Sequence, residues 1–329
     1  MKRILLISTG GTIASTITER GLSSTLSGDE IVRIAGINTD TLALTVSNLF
    51  SIDSTLIQPE DWVSIAEAIA ESNEDYDGFI ITHGTDTMAY TASMLSYMLG
   101  PIDKPVIITG SMKTAQETET DAIDNLQDSF TAVRENIGGV YVVFNHKLIK
   151  GSRVSKLKSL QYDAFVSVNA PVVADINDWE VTYQVNPVGN RSGVELNTKF
   201  DSKMVVLKFF PGLDPDVITN MYDAGYRGIV LESYGTGGMP YRRRDISATV
   251  EELAGKLPIL LTTQVVHDGV HLKTYEVGQR ALETGVISAH DMAKEASITK
   301  LIWALGQTAD PEEVKEIMYT NYAGEISFQ

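Results

Sequence analysis

Short apolar runs alternate with amphipathic stretches along nearly the whole chain. That rhythm narrows the fold to strands alternating with helices around a mostly parallel sheet, because a strand covered on both faces reads as an unbroken apolar run. In the first half, strands are expected at Arg3 to Ile7, Leu42 to Val46, Gly78 to Thr82, Val106 to Thr109 and Val140 to Phe144. Pro59 to Glu71 carries a full set of helix signals: proline in the first turn, acids after it, and Trp62, Ile65, Ala66 and Ile69 on one face. From about Asn177 to Asp201 the rhythm lapses among Pro187, Gly189, Asn190 and Gly193, as in a linker. A second alternating unit opens with Met204 to Phe209, continues through Gly228 to Leu231 and Pro258 to Thr262, and ends in helices over Asp291 to Ala304 and Pro311 to Tyr319. The expected architecture is α/β: a larger N-terminal domain over 1–180, with a mostly parallel sheet flanked by helices, a linker over 181–203, and a smaller C-terminal α/β domain over 204–329.

Composition removes several function classes. There is no cysteine, so disulfides, thiolate nucleophiles and cysteine zinc sites are excluded. The formal charge of −17 repels a phosphate backbone, and the dense basic run Arg242-Arg243-Arg244 reads as a solvated loop, so no nucleic-acid partner is expected. The apolar run Ile4 to Ile7 turns polar at Ser8, short of the roughly 7 to 15 residues of a signal-peptide core. No segment reaches the roughly 18 apolar residues of a membrane span. A cytoplasmic protein without membrane contact is the expectation.

In parallel α/β sheets, ligands collect at the carboxyl ends of the strands. The first strand runs into Thr9-Gly10-Gly11-Thr12-Ile13-Ala14, where paired glycines serve either a tight turn or a backbone cradle, and Thr12 presents a hydroxyl just beyond them. The strand ending at Thr82 runs into His83-Gly84-Thr85-Asp86-Thr87 and then a helix near Met88. Taken singly, Thr85, Asp86 and Thr87 read as helix caps. Taken together, the two loops put threonines at the ends of two strands of one sheet with an acid beside one of them, which suits a nucleophilic centre.

The strings TGGTIA at Thr9 to Ala14 and DGFIITHGTDTM at Asp77 to Met88 resemble the two signatures of bacterial-type L-asparaginases. The likeness runs through TLIQPEDW at Thr55 to Trp62, KPVIITGSM at Lys104 to Met112, ESYGTGG at Glu232 to Gly238 and TKLIWALGQT at Thr299 to Thr308. Within that family the sequence is most similar to the cytoplasmic type I group. The resemblance implies hydrolysis of L-asparagine to L-aspartate and ammonia through a threonine acyl-enzyme, without a cofactor or a metal. It makes Thr12 the nucleophile and Thr85, Asp86 and Lys156 the second catalytic group, Lys156 closing the string Gly151-Ser152-Arg153-Val154-Ser155-Lys156 with Lys158 close by. Ser54 takes the substrate carboxylate and Asp86 its ammonium, with Asp53 and Thr55 flanking Ser54, and Thr85 also lines the substrate site. Homodimers or homotetramers are the implied assemblies.

A threonine hydroxyl is a weak nucleophile until something accepts or shares its proton. Bringing a lysine from about 10.4 to near 7 costs roughly 4 to 5 kcal/mol, and a neighbouring acid opposes the shift, so Lys156 reads equally as base or electrostatic organiser. Backbone N–H groups at Gly11, Thr12 and Thr85 are the candidate oxyanion donors. Glutamine is longer than asparagine by one methylene, worth only about 1 to 3 kcal/mol of discrimination, so a minor glutaminase activity accompanies the expectation. Ile13 to Gly28 is expected to form a mobile lid; relatives carry a supporting tyrosine there, and this segment has none. His267 and His271 have a metal-like spacing but lack a helical HExxH frame, and His83 is expected to pack behind the Thr85 loop. The rival functions are an asparaginase-like amidotransferase subunit supplying ammonia to a charged transfer RNA, disfavoured because the chain opens directly on its first strand, and a non-catalytic amino-acid-binding module.

Overall fold

A computed structural model describes residues 1–18, 21–37, 42–186 and 192–327 of the 329. The chain divides into two compact units, Met1–Thr198 and Lys199–Gln329. The fold is α/β in both: a large first domain on a mixed, mostly parallel sheet, and a smaller second domain on a parallel one.

Eight strands form the first sheet. Five are parallel, in the spatial order Leu42–Ile52, Lys2–Gly10, Gly78–Thr82, Pro105–Thr109 and Gly139–Phe144. The last three of these are buried at every position, which is why they read as unbroken apolar runs. Leu42–Ile52 lies beyond Lys2–Gly10 and alternates between exposed and covered positions. Because the chain passes from the first strand to one neighbour and then crosses back to the other, the strand order reverses at Lys2–Gly10. A crevice at the carboxyl ends of such a reversal is where ligands settle.

Beyond Gly139–Phe144 the sheet becomes antiparallel through Lys147–Lys150, Ala174–Asn177 and Glu180–Tyr183. Residues 180–183, which fall at the start of the expected linker, thus belong to the first sheet. Their alternating exposed and half-buried pattern suits a strand with one covered face. Further on, Glu195 and Asn197 donate backbone bonds to Leu99 and Met98, so the chain stays fastened to the first unit until Thr198. Residues 187–191 of the expected linker lie outside the described residues.

The helix Pro59–Glu71 covers the sheet with Trp62, Ile65, Ala66 and Ile69, and its start is closed by Asp61 accepting the Gln58 N–H at 2.8 Å. The helix Met88–Met98 is apolar nearly all round and buried accordingly. In the second unit, Met204–Lys208, Gly228–Ser233, Ile259–Thr263 and Ile287–Ser288 pair in parallel and in chain order. Helices Lys294–Gln307 and Pro311–Tyr319 complete it, and a buried cluster around Ile229, Leu231, Ile259 and Leu261 forms its core. Among the described residues no helix is long and apolar enough to cross a membrane.

Candidate active site

Three loops meet at the carboxyl end of the first sheet, and glycine lets two of them touch. Gly11 has φ +83°, and a side chain there would stand 2.3 Å from the Gly84 nitrogen and 2.4 Å from its Cα. The Thr12 loop and the Thr85 loop therefore pack backbone against backbone, an approach that any Cβ at position 11 prevents. The Gly11 N–H donates to Ile52 O at 3.0 Å and Thr9 Oγ1 to Thr82 O at 2.8 Å, fastening the first strand to both neighbours. Gly84 in turn faces the third loop: a Cβ on it would lie 2.6 Å from Ser54 Oγ.

Thr12 opens a short 3-10 turn, Thr12–Ala14, and its side chain is half-buried. Among the described residues the Thr12 hydroxyl has no hydrogen-bond partner. Ser15 Oγ donates to Gly11 O at 2.8 Å, bracing the turn from behind. The expected lid continues as two short antiparallel strands, Ser15–Thr18 and Gly21–Ser24, rooted where Thr25 and Leu26 donate to Ala14 O; residues 19–20 lie outside the described residues.

Thr85 is buried, and Lys156 Nζ donates to its Oγ1 at 2.8 Å and to Asp86 Oδ1 at 2.6 Å. The lysine comes from the short strand Val154–Lys156, positioned by the turn before it. Ser93 Oγ of the Met88–Met98 helix donates to Gly151 O at 3.1 Å, and a side chain at Gly151 would press on Ala92 O at 3.0 Å. Lys158 is directed elsewhere, into an ion pair with Asp163. The Lys156 side chain is 14% exposed whereas Asp86 is 58% exposed, so the carboxylate keeps a face open to a ligand.

Ser54 is buried; its Oγ accepts from the Asp86 N–H at 3.3 Å and its carbonyl from Thr87 Oγ1 at 2.7 Å. Asp53 and Thr55 are exposed and turned to each other: Asp53 Oδ1 accepts the Thr55 N–H at 2.8 Å and Oγ1 at 2.7 Å. Those bonds cap the 3-10 turn Ser54–Leu56. The structure thus gathers the Gly11–Thr12, Ser54 and Thr85–Asp86–Lys156 groups, with Asp53 and Thr55 at its margin.

His83 is fully buried. Its Nδ1 stands 2.7 Å from Gly84 O and its Nε2 2.9 Å from Thr91 Oγ1, which also accepts the Trp62 indole N–H at 3.0 Å. Burial lowers its pKa to about 4, against the smaller opposing effects of the Gly84 bond and of Asp61, so the ring is neutral near pH 7. A second buried cradle escapes the sequence. Asp121 accepts N–H bonds from Met112 and Lys113 at 2.8 to 3.1 Å, and Asn125, one helical turn on, donates to Gly110 O at 3.0 Å. Together they fix the loop that follows Pro105–Thr109, and burial raises the Asp121 pKa despite those N–H bonds. The signal was an acid and an amide four apart at a helix start. His271 Nε2 stands 2.7 Å from Asp268 O, and among the described residues no group of three or more His, Asp or Glu is arranged to hold a metal ion.

Comparison with known proteins covers nearly the whole chain. Residues 3–189 match the family "Asparaginase, N-terminal" and residues 203–318 the "Glutaminase/Asparaginase C-terminal domain". An L-asparaginase of Thermococcus kodakarensis is 46% identical over 327 residues, 99% of each chain. The solved structure of the thermostable L-asparaginase from that organism superposes with a TM-score of 0.96, covering 99% of this chain and all of that one. L-asparaginase I from Vibrio cholerae, at 28% identity, superposes at 0.87 with 99% of both chains covered. A glutamyl-tRNA(Gln) amidotransferase subunit from Metallosphaera sedula is 36% identical over 340 residues, which span 99% of this chain and 77% of that protein.

Proposed function

Because this chain belongs to the L-asparaginase family and is an amidohydrolase, we propose that it cleaves the side-chain amide of L-asparagine at the Thr12 and Thr85 loops. In the first step Thr12 Oγ attacks the amide carbon, the C–N bond breaks, and ammonia leaves carrying the proton that the hydroxyl gives up. The aspartyl group remains on Thr12 as an ester. Water then adds to that ester, its proton returns to Thr12 Oγ, and L-aspartate is released. Lys156, bonded to both Thr85 Oγ1 and Asp86 Oδ1, holds the second threonine in place and balances charge as protons move. The backbone N–H groups of Thr12 and Thr85 are the proposed surroundings of the developing oxyanion; that of Gly11, expected to join them, is spent on Ile52 O at 3.0 Å.

Substrate recognition follows from the same loops. The exposed face of Asp86 suits the substrate ammonium, and the Ser54 hydroxyl its carboxylate. Asp53 and Thr55 serve the turn that carries Ser54. The observation that carries this reading is the Lys156 contact with Thr85 and Asp86, a hydroxyl–amine–acid cluster at the carboxyl ends of a parallel sheet. Its test is ammonia release from asparagine, glutamine and D-asparagine by the purified chain and by Thr12→Ala and Thr85→Ala. Asparagine should be the best substrate, with a minor rate on glutamine. Normal rates in both variants would refute the residue assignments.

A cytoplasmic location is proposed on two supports. Among the described residues no helix can cross a membrane, and one structural relative is the "Probable Cytoplasmic L-asparaginase from Campylobacter jejuni", 26% identical with a TM-score of 0.83. A homodimer or homotetramer is the proposed assembly, and light scattering that returns the mass of a single chain would refute it.

A further inference from the structure

The bond from His83 to Gly84 O acts on more than the loop's outline. Gly84 C=O and Thr85 N–H are the two ends of one trans peptide, which is planar and resists twisting, so holding the oxygen sets the direction of the hydrogen. Among the described residues the Thr85 N–H has no acceptor, although Thr85 is buried. A buried backbone donor without an internal partner is costly unless a ligand oxygen meets it.

The polarity of the His83 contacts can be worked out. Gly84 O can only accept, so Nδ1 carries the proton of the neutral ring, and Thr91 Oγ1, which accepts the Trp62 indole N–H, turns its own proton to His83 Nε2. The Nε2 atom is then the acceptor nitrogen of a neutral ring, and the proton sits on Nδ1, directed at Gly84 O. Everything behind this carbonyl is equally constrained. The His83 N–H donates to Thr109 O at 2.8 Å, and a Cβ on Gly110 would stand 2.2 Å from His83 O. The Trp62–Thr91–His83 chain thus holds the Gly84–Thr85 peptide from behind.

We infer that His83 is a positioning residue for the amide hydrolysis: through its Nδ1–H bond to Gly84 O it aims the Thr85 N–H at the oxyanion of the tetrahedral intermediate. This rests on the placement of the reaction at Thr85, so the experiment separates the two. An oxyanion donor acts on the transition state, and its misdirection lowers kcat while leaving KM nearly unchanged.

The variants are His83→Leu, His83→Asn, Thr91→Val and Thr85→Ala, each assayed for kcat and KM on asparagine beside its melting temperature. Asparagine places an amide N–H near the position of Nδ1 and can still donate to Gly84 O, whereas leucine fills the space without donating. His83→Leu should lower kcat roughly tenfold to a hundredfold, below the cost of deleting such a donor outright, with KM within about twofold. His83→Asn should recover most of that loss. A purely structural role predicts instead that activity follows the melting temperature across the variants, with no fall in kcat at constant KM in protein that remains folded. If Thr85→Ala is inactive while folded His83→Leu keeps kcat within about twofold of the parent, this inference fails and the site assignment stands. If Thr85→Ala keeps the parent rate, both fall. Should His83→Leu not fold, Thr91→Val decides: it breaks the chain one residue further back, a fall in kcat at constant KM supports the role, and an unchanged kcat overturns it.

Discussion

Lys156 Nζ lies 2.8 Å from Thr85 Oγ1 although 71 positions of sequence separate the two residues. The same nitrogen is 2.6 Å from Asp86 Oδ1, so one amine ties a buried hydroxyl to an exposed carboxylate. Replacing it by methionine keeps the length of the side chain and removes both bonds. Lys156→Met should lower kcat by about 10² to 10⁴, the range of a positioned proton-transfer group, with the melting temperature little changed. Steady-state ammonia release measures it. A fall smaller than about tenfold would remove the lysine from the proposed chemistry.

Neighbouring residues on the Ser54 turn should separate cleanly. Asp53 spends its carboxylate on Thr55, so Asp53→Ala should cost about 1 kcal/mol of stability, as a lost cap does, and leave KM close to the parent value. Ser54→Ala instead removes a hydroxyl proposed to face the substrate carboxylate, a bond worth about 1.5 to 3 kcal/mol, so KM should rise roughly tenfold to a hundredfold. Paired KM determinations and thermal melts distinguish the two. Equal KM effects would mean that Asp53 also reaches the substrate.

The legible parts of this chain are those whose causes are local. Pro59–Glu71 could be read from its proline, its acids and its apolar face, and the strands Gly78–Thr82 and Pro105–Thr109 from unbroken apolar runs. The edge of the first sheet could not. Ala174–Asn177 pairs with Lys147–Lys150, and strands of four residues gain their stability from distant partners rather than from a local pattern. The site divides the same way. Thr12, Thr85 and Asp86 stand at strand ends and were visible as such. What brings Lys156 to them is the packing of Gly151 against the Met88–Met98 helix, and what fixes His83 is a hydrogen bond from Thr91, which in turn meets Trp62 from another helix. Contacts of that kind leave no periodic trace in a sequence.

Acid should weaken the first domain through His83. Unfolded, the imidazole takes a proton near pH 6.5; folded, it does so only near pH 4. Between those values the unfolded state binds more protons, so the contribution is complete above about pH 6.5 and is lost as pH falls toward 4, in total about 3 kcal/mol at 1.36 per unit. Asp128, buried beside His146 at 2.9 Å, runs the other way. Burial raises its pKa to about 6, so the folded state binds the extra proton and gains stability as pH falls through that range. The wild-type profile mixes both, and the comparison that isolates His83 is with His83→Asn. Unfolding free energies from urea titrations at pH 7.5 and 4.5 should converge in that variant by about 2 to 3 kcal/mol relative to the parent. Parallel profiles would mean that the ring is not held neutral by burial.

In the second domain, Lys300 and Glu325 form an ion pair at 2.6 Å with both side chains wholly buried. Lys300 Nζ also donates to Met318 O at 3.0 Å and Thr320 O at 2.6 Å, while Glu325 accepts N–H bonds from Tyr322 and Ala323. The pair thereby clasps residues 318–325 to the helix Lys294–Gln307. Burial lowers the lysine pKa, and Glu325 opposes the shift. Removing one partner strands a charge in the interior: Lys300→Met leaves Glu325 without its cation and should cost about 3 to 5 kcal/mol. Adding Glu325→Gln removes the stranded charge and keeps one acceptor oxygen, enough for one of the Tyr322 and Ala323 N–H groups, so the double variant should be more stable than Lys300→Met alone. Calorimetry gives the ordering directly. A double variant less stable than the single one would mean that the carboxylate is held by its two N–H bonds and owes little to the lysine.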